Sequence, residues 1–220
     1  MPRPGQLGKA AKPLIWLHAV SVGETMAAQP LVKRLLKLYP DHDLLVTNTT
    51  PTGRATNREL FGRKGVKRCF LPYDHPWALA QFFAHYQPRI GVIMETELWP
   101  NLVHQAQKQS VPLVLANARL SDKSLRKGQR WPALIGPALA GLKAVLAQTA
   151  RDAARLSELG RHDAVVVGNM KFDAPVPEDM LLVGETWREK LGAQQVVLFA
   201  SSRDGEEERV LSAWAAHGPR

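Results

Sequence analysis

The sequence predicts an α/β fold, a doubly wound parallel sheet, and three observations carry the prediction. Short runs near-continuous in Val, Ile and Leu alternate with longer amphipathic stretches. A strand with no polar alternation has both faces buried, which a parallel sheet covered by helices provides. Apolar residues make up 45% of 220, enough to fill such a core and too many for a disordered chain.

Leu14 to Val20 (LIWLHAV) reads as the first buried strand, and Leu31 to Leu38 as the helix after it. Leu44 to Thr47 is a second strand, followed by helices over Thr52 to Phe61 and Pro76 to Tyr86. Ile90 to Met94 (IGVIM) is a third strand with a helix from Trp99 to Gln109, and Val111 to Ala116 (VPLVLA) a fourth. Ala144 to Ala147, a helix over Thr149 to Leu159, and Ala164 to Val167 complete the pattern. Each strand is bounded by polar, Gly or Pro residues. Residues 14–167 thus form the first domain, behind a polar stretch over 1–13. Gly168 to Pro177 (GNMKFDAPVP) breaks the alternation and reads as a linker. Residues 178–220 read as a helix over Glu178 to Leu191, a strand over Val196 to Ala200 (VVLFA) and a helix over Gly205 to Ala216, the beginning of a second α/β domain. A lone strand and helix cannot bury their apolar faces, so they lean on the first domain or belong to a longer chain.

Residues 1–171 carry 24 basic and 11 acidic side chains, net +13, and residues 172–220 carry 5 and 9, net −4. A basic body faces anions: nucleic acid, a membrane surface or a phosphorylated small molecule. One cysteine, Cys69, allows no internal disulfide and no cysteine metal cluster, and a reducing compartment is the default. No apolar run reaches the roughly 18 to 20 residues of a membrane span, and the opening MPRPG stretch has no hydrophobic segment behind it, so it is not a signal peptide. These readings describe a soluble, cytoplasmic chain.

In an open parallel sheet, ligands bind beyond the carboxyl ends of the strands. Four loops there hold Ser21 to Glu24, Asn48 to Arg54, Glu95 to Asn101 and Asn117 to Ser121. Ser21-x-x-Glu24 fits a capping box, in which Glu24 bonds the backbone at a helix start. Gly23 supports a ligand-facing alternative, because a glycine admits close approach. Glu95 and Glu97 share a side if the strand continues past Met94; if a helix begins near Trp99-Pro100, one of them serves its N-terminus. Carboxylates in a dry pocket have separated pKa values, and the higher accepts a proton, as attack by an alcohol or sugar hydroxyl requires. Arg54 and Arg119 stand closest to the rim among two basic clusters, where a guanidinium grips phosphate or carboxylate. Nucleic acid is disfavoured, since no aromatics interleave with the basic runs. His18, His42, His75 and His104 lack metal-ligand spacing, and no phosphate-cradling glycine fingerprint is present.

HAVSVGE (18–24), METELWPNL (94–102), NARLSDKS (117–124), AQT (147–149) and GNMKFD (168–173) together resemble the bacterial Kdo transferases, which attach 3-deoxy-D-manno-octulosonic acid (Kdo) to lipid A precursors. The resemblance implies a GT-B glycosyltransferase: two Rossmann-like domains, the first binding acceptor and the second binding CMP-Kdo, with an anchor in the inner membrane and activity on its cytoplasmic face. It makes Glu24 the catalytic general base, transfer inverting, and Gly23, Arg54, Glu95, Glu97 and Arg119 acceptor-binding residues. It implies CMP-Kdo, a lipid A precursor and a membrane surface as partners, with no metal or cofactor. Two departures stand out. The chain opens on a polar stretch where the family carries its anchor, and Arg203 in SSRDGE occupies the family's usual histidine position. The 220 residues alone are expected to transfer nothing. Rival readings are a GT-B-type nucleotide-sugar epimerase and a non-catalytic anionic lipid or phosphate-binding module.

Overall fold

A computed structural model of the chain describes residues 12–173 and 178–218. They belong to two compact units, Met1–Pro175 and Val176–Arg220. Most of the polar stretch 1–13 and the last four residues of the expected linker lie outside the described residues.

The first unit contains β1 (Leu14–His18), α1 (Val22–Ala27), α2 (Gln29–Leu38), β2 (Asp43–Asn48), α3 (Pro51–Phe61), β3 (Lys67–Phe70), α4 (Pro76–Tyr86), β4 (Ile90–Met94), α5 (Pro100–Lys108), β5 (Leu113–Ala118), α6 (Asp122–Gln129), α7 (Pro132–Ala140), β6 (Ala144–Ala147), α8 (Ala150–Glu158) and β7 (Val165–Val166). All seven strands are parallel, in the order β3-β2-β1-β4-β5-β6-β7. The order reverses between β1 and β4, the switch point at which such sheets open a crevice.

Both faces of the sheet are covered, and successive residues of β1 divide between them. Leu14 and Trp16 enter a core with Phe82, Phe83, Ile93, Leu102 and Leu113; Ile15 and Leu17 enter another with Val32, Val46, Phe61 and Met94. Strand side chains alternate in direction, so a five-residue run buried throughout feeds two cores. Trp16 lies edge-on to Phe82 and Phe83. Opposite it in register stands Gly91, where a Cβ would come within 2.6 Å of the indole and 2.5 Å of Leu113. The indole therefore fills space that any other residue at position 91 would occupy.

Several boundaries differ from expectation. β1 stops at His18, because Val20 turns its N–H to the Glu24 carboxylate. β5 begins at Leu113 and continues through Ala118 across an irregularity between Leu115 and Ala118. β3 (KRCF) was hidden by its charges. As an edge strand it tolerates them, and Lys67 pairs with Asp43 at 2.8 Å. Helices α1, α6 and α7 are also additional to the expected elements.

The second unit contains α9 (Glu178–Leu191) and α10 (Glu206–His217), as the periodicity predicts. The strand expected over Val196 to Ala200 is not formed, and Val197 and Leu198 are exposed. A strand needs a neighbouring ladder, and residues 178–218 contain no other strand.

Candidate active site

Glu24 sits at the third position of α1, behind its N-cap Ser21. Its carboxylate accepts from the Val20 N–H and from the Ser21 hydroxyl, both at 2.9 Å, while the Ser21 oxygen accepts the Glu24 N–H at 3.3 Å. Ser21 therefore caps α1 as expected, with the return bond of Glu24 going to the Val20 N–H just before the cap, and these bonds aim the carboxylate. Glu24 is 8% exposed. Burial raises its pKa above the ordinary carboxylate range, opposed by the bonds from Val20 and Ser21 and reinforced by the charge of Glu95. The capping bonds occupy a lone pair on each oxygen and leave others available.

Glu95 lies at the end of β4 with φ of 56°, a left-handed conformation uncommon for glutamate. Its side chain is buried between two cations, Arg119 Nε at 2.9 Å from Oε2 and Lys171 Nζ at 3.5 Å from Oε1. Neighbouring Asn117, fully buried, is also left-handed with φ of 55°. Its Oδ1 accepts the N–H of Met170 at 3.1 Å, which ties the segment carrying Lys171 to β5. The first half of the expected linker is thus packed on the first unit, with Met170 against its core. Such clustered backbone strain at strand ends is characteristic of functional sites.

Glu97 accepts the Trp99 indole N–H at 2.8 Å. Burial raises its pKa, the Trp99 bond opposes this, and the charges of Glu24 and Glu95 add to it. The three carboxylates, 73 positions apart at the extremes, are close enough to repel one another. Neither Glu95 nor Glu97 serves the start of α5. That role belongs to Asp74, which accepts the N–H groups of Asn101 and Leu102 at 3.2 and 2.8 Å. Beneath the rim, His18 is fully buried, edge-on to Trp99, with Nδ1 2.8 Å from Thr47 Oγ1. Burial lowers its pKa to about 4, so it is neutral at pH 7.

Arg54 occupies the first turn of α3, 4.5 Å from the centre of the Phe70 ring, and is exposed. It lies on the β2–β3 side of the rim, apart from the Arg119 ion pairs. Gly23 is exposed, and a Cβ there would meet nothing nearer than 4.0 Å. Packing does not require a glycine at that position. Gly53 is different: a Cβ would lie 2.7 Å from the Val20 carbonyl, so its absence lets α3 abut the loop that presents Glu24. Among the described residues no cluster of three His, Cys, Asp or Glu side chains is placed to hold a metal ion. In the second unit Arg203 is exposed and its N–H meets the Glu206 carboxylate at 3.0 Å, at the start of α10.

A family profile described as 3-deoxy-D-manno-octulosonic-acid transferase (kdotransferase) matches residues 2–174. The chain belongs to the Kdo transferase family. It is 44% identical over 97% of its length to the 3-deoxy-D-manno-octulosonic acid transferase of Bordetella pertussis, of which it covers 51%. It is 34% identical to that of Haemophilus influenzae, over 97% of this chain and 51% of that protein. The chain therefore spans about half the length of these curated relatives. Among solved structures it is similar to a UDP-N-acetylglucosamine 2-epimerase from Listeria monocytogenes described there as putative (TM-score 0.62, 17% identity, covering 94% of this chain and 60% of that one). It is also similar to a glycosyltransferase from Rickettsia africae (TM-score 0.56, 13% identity, 96% and 59%). At such identities the likeness shows the fold, the α/β GT-B type.

In this Kdo transferase family chain, sequence reasoning placed Glu24, Glu95, Glu97 and Arg119 on one rim, and they lie together there. It did not single out Lys171, Asn117, Asp74 or Trp99, although Asn117 and Trp99 lie in two of the rim loops it named. Lys171 lies in GNMKFD, a string read as part of a linker and quoted again for its resemblance. Asn117 stands in NARLSDKS, immediately before Ala118-Arg119. Asp74 has no local signal, because the donors it serves lie 27 and 28 positions later.

Proposed function

We propose that this rim is the acceptor side of a glycosyl transfer, in which Kdo passes from CMP-Kdo to a hydroxyl of a lipid A precursor with inversion at the anomeric carbon. The observation that carries this reading is the Glu24 carboxylate, buried, raised in basicity and oriented by Val20 and Ser21 beside two further carboxylates. Glu24 takes the proton of the acceptor hydroxyl as its oxygen forms the new bond to the anomeric carbon. The bond from that carbon to the CMP phosphate breaks, and its electron pair leaves with the phosphate. Arg119, Lys171 and Arg54 supply positive charge for the phosphate or carboxylate groups of the reactants, and Gly23 leaves room at the start of α1. Charge on the departing phosphate falls to helix N-termini and basic side chains, without a metal ion or cofactor in this reading. Donor binding and turnover belong to a protein of the relatives' full length, acting at the cytoplasmic face of the inner membrane.

An epimerase shares the fold, but family membership favours transfer. A purely binding module has no use for a basic, buried carboxylate. In a protein completed to family length, Glu24→Gln is expected to lower transfer from CMP-Kdo to a lipid A precursor by about 10²- to 10⁴-fold while acceptor binding persists. Wild-type activity should fall as pH drops through the raised Glu24 pKa, since only the ionised form accepts a proton. Unchanged turnover in Glu24→Gln removes Glu24 from the mechanism, and binding without turnover in the wild type supports the module.

A further inference from the structure

Two adjoining cavities lead away from the rim and share Thr96, Leu120 and Ser124 in their walls. The first, about 440 Å³, is polar and includes Arg119, Ser121, Gln148 and Arg155. Asp152 also lines it, but its oxygens are engaged by the Leu120 N–H at 2.9 Å and the Thr149 hydroxyl at 2.5 Å. Arg155 is balanced by Asp122 at 2.7 Å. Arg119 binds Glu95 through Nε alone and is 58% exposed, which leaves the ends of its guanidinium to a ligand.

The second cavity, about 570 Å³, is an apolar trough among α5, α6, α7 and Leu159, with Leu98, Pro100, Trp131, Leu134 and Ile135 in its walls. From Trp131 to Leu142 the chain carries no charged side chain. A helix apolar on all sides is normally buried. Here Trp131 and Leu134 are 64% and 51% exposed, and Pro132, Ala133, Pro137 and Ala140 face outward with them. The neighbouring α6 brings Lys123, Arg126 and Lys127, followed by Arg130, and Lys127 borders the trough itself. Cationic side chains around an apolar opening with a tryptophan at its edge match the interface of an anionic bilayer.

We propose that the two cavities form one amphiphile site, with a phosphate of the acceptor at Arg119 and one of its acyl chains in the trough, leaving past Trp131 and Leu134. The assignment rests on the proposed function for the nature of the lipid, and on the shared walls for the continuity of head and tail. Thr96, between Glu95 and Glu97 in sequence, lines both cavities, so the junction of head and chain adjoins the carboxylate cluster. A chain lying in the trough stays out of water while the lipid's sugar rises to the rim.

The test uses ethyl, hexyl and decyl phosphate below their micelle concentrations, with inorganic phosphate as reference, titrated calorimetrically into the chain. Affinity should rise by about fourfold per methylene buried, until the trough is filled. Leu134→Asp should flatten that dependence, and Leu38→Asp, an equally exposed leucine on α2, should leave it intact. Brominated decyl phosphate should quench tryptophan fluorescence in the unaltered chain, and the quenched component should be missing in Trp131→Phe, which exchanges one exposed aromatic ring for another. A flat chain-length series, an unaltered series in folded Leu134→Asp, equal flattening by Leu38→Asp, or quenching independent of Trp131 would each overturn the proposal. No donor or turnover enters these measurements. Loss of the chain-length effect with transfer intact rejects the trough alone, and the reverse result rejects the transfer reading alone.

Discussion

Removing the Asp74 carboxylate should loosen the loop that holds Glu95, Glu97 and Trp99. α5 begins with Pro100, which has no N–H, after an N-cap, Trp99, that offers no side-chain acceptor. The first unpaired donors are therefore Asn101 and Leu102, and Asp74 accepts both, with the Asn101 amide adding a bond to the Asp74 carbonyl at 2.9 Å. Loss of such a cap costs about 0.5–2 kcal/mol, and loss of a negative charge at a helix N-terminus about 0.3–1 kcal/mol more. Asp74→Ala should thus cost about 1–3 kcal/mol, a fall in Tm of about 2–12 °C for a domain of this size. Asp74→Asn keeps one acceptor oxygen and should cost about 1 kcal/mol. Urea and thermal unfolding followed by circular dichroism measure both. A cost below about 0.5 kcal/mol for Asp74→Ala would refute the capping argument, and equal costs for the two variants would assign the effect to charge instead of geometry.

His18 contributes a pH dependence of known sign. Its pKa is lowered from 6.5 to about 4, so between those values the unfolded chain binds a proton that the folded chain refuses. Stability should fall as pH drops through that window, by about 3 kcal/mol in total, and His18→Phe should lack this loss in urea titrations at pH 7 and pH 4. The raised Glu24 and Glu97 act oppositely, losing their contribution as pH rises above the usual glutamate range, but they are common to both proteins and cancel. Gly53→Ala drives a methyl against the Val20 carbonyl and should destabilise by about 1–3 kcal/mol in thermal melts. Asn117→Ala loses the bond to the Met170 N–H and keeps a left-handed backbone without the asparagine that tolerates it. It should cost more than Asn117→Gly and speed tryptic cleavage after Lys171, and equal cleavage rates would remove Asn117 as the tie.

Much of the fold was legible because its signals are local. Short, nearly continuous apolar runs announce a strand buried between layers of helices, and the strands at Leu14, Leu44, Ile90 and Ala144 were found this way to within a few residues, as was the more exposed one near Ala164. The failures share a cause. Lys67–Phe70 is polar because it is an edge, and VVLFA is apolar but has no strand to pair with in its own unit. Whether a segment is an edge, or has a partner at all, is a property of the assembled sheet.

The site divides along the same line. A parallel sheet and the rule that ligands gather at carboxyl ends were enough to put Glu24, Glu95, Glu97 and Arg119 on one rim, since each lies in a loop that follows a strand readable from its own neighbours. Their partnerships needed the folded chain. The cations flanking Glu95 come from 24 and 76 positions away, and the tie for Lys171 from 53 positions before Met170. Apolar periodicity extends over a turn or a pleat and can be read within a dozen residues. A hydrogen bond or an ion pair exists only after packing has closed the intervening loops, and no short window of sequence contains both of its ends.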